Sequence, residues 1–121
     1  MNNQSDEISN KIKIIITVGD ESGIGPEIIL KALFSKEIPS NLDFIIVGSK
    51  NNLENTYKNL KSLGVNNIVD PNNYQIHDIK IPLEINKQKK SNGNASFFYL
   101  KKAIEIVQKH KNAALVTGPI C

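Results

Sequence analysis

Apolar residues along this chain fall in short blocks separated by glycine, proline and asparagine, and the spacing within the blocks alternates between continuous and helical. Ile12 and residues 14–18 form a β-branched run flanked by Lys11 and Lys13, as expected of a strand covered on both faces. Gly19 ends that run, and residues 19–25 carry three glycines in seven positions before Pro26. Proline suits the first position of a helix because it has no N–H to leave unpaired. Ile28, Ile29, Ala32 and Leu33 then share a stripe, which predicts a helix to about Phe34 and a loop at Pro39 and Asn41.

Residues 43–47 read as a second buried strand closed by Gly48, and the Leu53, Tyr57, Leu60, Leu63 spacing as an amphipathic helix capped by Gly64. Residues 67–70 predict a brief third strand ended by Pro71, and residues 79–83 a further strand that Pro82 pushes to a sheet edge. A long helix follows over 95–109, with Phe97, Leu100, Ala103, Ile104 and Val107 on its apolar face. Residues 113–117 are apolar enough for a central strand, stopped by Gly118 and Pro119. Strand and helix in alternation give an α/β fold, a parallel or mixed sheet with helices on both faces. Residues 1–11 are a polar tail, and 12–121 form the α/β part. Ligands bind such sheets beyond the carboxyl ends of the strands, which directs attention to the loops after Val18 and after Thr117.

With 121 residues, 40% of them hydrophobic, the chain has material for one domain with a core. No apolar run approaches the roughly 20 residues that span a bilayer. Asp6 and Glu7 precede the first lysine, the wrong order for a secretory signal, so a cytoplasmic location is the default. The net charge of +3 comes from scattered lysines with one cluster at Lys87, Lys89 and Lys90, while Phe97, Phe98 and Tyr99 fall in helix core rather than on a stacking platform; neither nucleic acid nor membrane is expected as a partner. The only cysteine, Cys121, allows no intrachain disulfide and no Cys-cluster metal site.

Glycines in the first loop let the main chain approach a ligand closely, and the helix that follows turns unpaired N–H groups toward the same place, an arrangement that favours phosphate or carboxylate. The spacing matches neither the dinucleotide fingerprint nor a Walker A motif, so a tight turn that merely opens a helix remains an equal reading. The adjacent carboxylates Asp20 and Glu21 suit the helix dipole or solvent better than a metal. His77, in a polar loop, and His110, near a helix C-terminus, have no second ligand at metal spacing, and no nucleophile and base pair supports hydrolase chemistry. No catalytic residue and no metal ligand is assigned.

The string Ile16-Thr17-Val18-Gly19-Asp20-Glu21-Ser22-Gly23-Ile24-Gly25-Pro26-Glu27-Ile28 resembles the opening of the 4-hydroxythreonine-4-phosphate dehydrogenases, usually a strand followed by G-D-P-[AS]-G-I-G-P-E. The isocitrate and isopropylmalate dehydrogenases have a shorter G-D-G-I-G-P-E loop, and the pair Glu21-Ser22 separates this chain from them. Asn92-Gly93-Asn94-Ala95-Ser96, a helix, and then Ala114-Leu115-Val116-Thr117-Gly118-Pro119-Ile120 look like the family's second characteristic stretch. Glu21 stands where the family commonly has proline, and the lysine that usually follows the T-G-P segment has no counterpart before Cys121.

The resemblance implies a truncated fold similar to isopropylmalate dehydrogenase, covering the front third of the family's enzymes. It also implies oxidation of 4-phosphooxy-L-threonine by NAD or NADP with a divalent metal, decarboxylation of the product, and homodimers acting on a small phosphorylated substrate. By that resemblance Gly19, Asp20, Gly23, Ile24, Gly25 and Pro26 line the cofactor side of a cleft, and Thr117, Gly118 and Pro119 form its floor near substrate. The family's metal and substrate histidines lie beyond the T-G-P segment, so the chain is expected to be inactive by itself and to associate as an oligomer or with the remaining C-terminal part. A non-catalytic remnant that pairs with a separately encoded remainder, and a small nucleotide- or phosphate-binding module, are the alternatives; the missing Walker lysine argues against the module.

Overall fold

A computed structural model describes residues 11–19, 24–79 and 91–118. Strand β1 (Ile12–Thr17) leads to helix α1 (Gly25–Ala32), strand β2 (Leu42–Gly48), helix α2 (Lys50–Ser62), a 3-10 turn (Pro71–Asn73), strand β3 (Gln75–Asp78), helix α3 (Ser91–Gln108) and strand β4 (Ala113–Thr117). All pairings are parallel, in the order β3-β2-β1-β4. The chain therefore steps outward from β1 to β3 and then returns to the other side of β1. Helices α1 and α2 pack on each other, while α3 packs on β1, β2 and β4, as the usual right-handed crossover rule expects for helices on opposite faces. The expected α/β sheet with helices on both faces is the observed fold.

Burial follows the sheet. Ile15, Ile45 and Val47 face α3, whose Tyr99, Ala103 and Ile106 close that layer, while Ile46, Ile29, Leu30, Leu53 and Leu60 fill the layer under α1 and α2. On α3 this shifts the predicted stripe. Ala103 is buried and Leu100 and Val107 are half-buried, but Phe97 and Ile104 are exposed, and Phe97 instead meets Phe98 edge-on with ring centroids 6.1 Å apart. At the α2 terminus Leu63 is 78% exposed rather than part of the apolar face, although Gly64 does take the left-handed cap conformation at φ 87°.

Two boundaries also move. Helix α1 stops at Ala32 instead of Phe34, because the Phe34 and Ser35 N–H groups turn to the Lys31 and Ala32 carbonyls in a tighter closing turn. Residues 67–70 are not a strand. Ile68 is buried as a connection, the Val69 N–H donates to the Leu30 carbonyl at 3.1 Å, and Asp70 and Pro71 open the 3-10 turn. The third strand lies farther on, at Gln75–Asp78, so His77 is half-buried in a strand rather than placed in a loop. Of the predicted strand 79–83 only Ile79 is described; its N–H donates to the Gly48 carbonyl at 2.9 Å. Strand β4 is at the edge of the described sheet, not at its centre.

Candidate functional site

The sheet order reverses between β1 and β4, which places the carboxyl ends of two parallel neighbouring strands at a switch point. Thr17 and Thr117 are register partners at these ends. Beyond them the Gly118 N–H donates to the Thr17 carbonyl at 2.9 Å, and the Val18 N–H to the Val47 carbonyl at 3.1 Å. The loops singled out from the sequence thus begin side by side.

Their closeness depends on two glycines. Gly19 sits at φ 80°, a conformation that a side chain penalises, and turns the chain out of β1. A Cβ on Gly118 would lie 2.4 Å from the Val18 carbonyl oxygen and 2.9 Å from that of Thr17, so main chain packs directly on main chain. Gly25 and Pro26 are buried in the first turn of α1. Gly25 is helical and has no positive φ. Ile24 is the N-cap residue, 60% exposed, and among the described residues no side chain caps this helix start. Glu27, in the first turn, is paired with Lys31 at 2.7 Å. Asp20, Gly23 and Pro119 lie outside the described residues.

An apolar groove of about 310 Å³ runs from this point between α1 and the sheet, floored by Ile14, Ile16, Phe44 and Val116 and walled by Ile28 and Leu33. Ile28, Val116 and the Val18 carbonyl against Gly118 belong to this region, and sequence reasoning did not single them out. Periodicity marked Ile28 and Val116 as core, yet they are 42% and 49% exposed. Among the described residues no three His, Cys, Asp or Glu side chains come together as a metal site, and no helix is long and apolar enough to cross a membrane.

A family model describing pyridoxal phosphate biosynthetic protein PdxA matches residues 40–121. The 4-hydroxythreonine-4-phosphate dehydrogenase of Nostoc sp. is 39% identical over 115 residues, which are 89% of this chain and 32% of that protein. A second protein of that name, from Sulfurihydrogenibium sp., is 38% identical over 90% of this chain and 36% of its own length. A Fusobacterium nucleatum protein provisionally named D-threonate 4-phosphate dehydrogenase is 32% identical over 91% of this chain and 37% of its own. The crystal structure of a 4-hydroxythreonine-4-phosphate dehydrogenase from Burkholderia phymatum superposes with a TM-score of 0.64 over 88% of this chain and 36% of that one, at 23% identity, a likeness of fold. The chain spans about a third of the length of the curated relatives it matches.

Proposed function

Because the chain belongs to the family of pyridoxal phosphate biosynthetic protein PdxA, we propose that it supplies the cofactor side of an NAD(P)-dependent dehydrogenase acting on a phosphorylated four-carbon hydroxy acid. The leading substrate is 4-phosphooxy-L-threonine, oxidised at its hydroxyl-bearing carbon and then decarboxylated. D-threonate 4-phosphate is the second reading, favoured by the Fusobacterium relative. A bound nicotinamide would supply the hydride acceptor in either case.

The observation that carries this reading is the apposition of the loops after β1 and β4 at the switch point, with Gly118 in contact with the Val18 carbonyl. In the proposal, Gly19, Asp20, Gly23, Ile24, Gly25 and Pro26 bring main chain close to the cofactor, and the N–H groups at the start of α1, which no described side chain caps, favour its negative charge. Thr117, Gly118 and Pro119 form the floor beneath the substrate. The described residues do not fit a divalent metal, and we assign that group to the length the relatives carry outside the match.

In this reading the chain alone does not turn over, and a cytoplasmic homodimer of full-length chains is the working enzyme. Mixing the chain with the unmatched portion of the Nostoc relative, then following NAD(P)H formation with each substrate and a divalent metal, tests both statements. Metal-dependent NAD(P)H formation in the mixture supports the reading. Turnover by the chain alone would sink the claim of incompleteness, and a mixture that assembles but oxidises neither substrate would sink the reaction.

A further inference from the structure

We draw no further inference here: the strongest candidate, the apolar flank of α3 formed by Phe97, Leu100, Ile104 and Val107, carries nothing, because nothing among the described residues shows what covers it.

Discussion

Replacing Gly118 by alanine places a methyl carbon 2.4 Å from the Val18 carbonyl oxygen, 2.8 Å from its carbon and 2.9 Å from the Thr17 carbonyl oxygen. All three are backbone atoms in a buried strand end, so no rotamer change relieves the clash. The strand can respond in two ways. If β1 and β4 shift apart while staying paired, overpacking costs about 1–3 kcal/mol. If the end of β4 peels away, the Gly118–Thr17 hydrogen bond is lost, a further 0.5–1.5 kcal/mol by the usual net value, but the clash disappears. The chain takes the cheaper route, and we expect a loss of about 1–2 kcal/mol. With a urea m-value of about 1.5 kcal/mol/M for a domain of this size, the midpoint falls by roughly 0.7–1.3 M. Gly48→Ala is the comparison: its Cβ would meet the Val18 Cγ2 at 2.3 Å, a side chain that can rotate at some cost. Urea unfolding followed by circular dichroism measures both. A Gly118→Ala midpoint within about 0.2 M of the parent would refute the close backbone contact, and with it the packing of the two loops on which the candidate site depends.

Tyr99→Ala empties the fully buried centre of the layer under α3 and is expected to cost about 3–5 kcal/mol, whereas Phe97→Ala, at a 63% exposed position, stays within about 0.5 kcal/mol; similar losses in thermal melts would mean that the helix presents its other face. Asp78→Ala removes the carboxylate that accepts the Lys50 N–H at 3.0 Å at the start of α2, and should cost about 0.5–2 kcal/mol in the same melts, a loss that Asp78→Asn largely restores. Lys13→Ala breaks the ion pair with Asp43 across β1 and β2, but both partners are partly exposed, so the effect stays below about 1 kcal/mol and shrinks in salt; a larger, salt-independent loss would show that the lysine stem matters more than its charge.

Much of the sheet was legible because its central strands are buried on both faces and therefore read as unbroken β-branched runs. Residues 14–18 and 43–47 needed no arbitration. The third strand was misplaced for the opposite reason. Gln75–Asp78 is polar and pairs only with β2, so four residues with an exposed-half-half-exposed pattern look like a loop, while Ile68 and Val69 look like a strand and instead bury a connection. Helix α3 failed on degeneracy. Apolar residues at 97–100, 103–104 and 106–107 offer two overlapping stripes that share Ala103, and helical periodicity alone does not choose between them. The sheet chooses, by taking Tyr99 and Ile106. At the candidate site the strand ends and loop starts were readable from glycine and proline, but the contact between Gly118 and Val18 is tertiary and leaves no local signal beyond the glycine itself.

Strand β4 shows how composition can describe a larger structure than the one in which it is found. Its five residues have the apolar character of a strand flanked on both sides, and the sequence reading placed it centrally on that basis. Observed burial is half, exposed, half, exposed, exposed, which is the pattern of a strand paired only with β1. Composition records the environment in which a strand is stable, whereas burial records the neighbours described, and in this sheet the two differ most along β4. Ile28 shows the same mismatch on α1, an apolar residue at a core-facing helical position that remains open on the groove side. Ile28 and Val116 both line the groove that also takes in Thr117 and Gly118. A surface that covers the groove and pairs the edge would therefore also close one side of the candidate site, which ties assembly of the family's full-length fold to formation of the cleft itself.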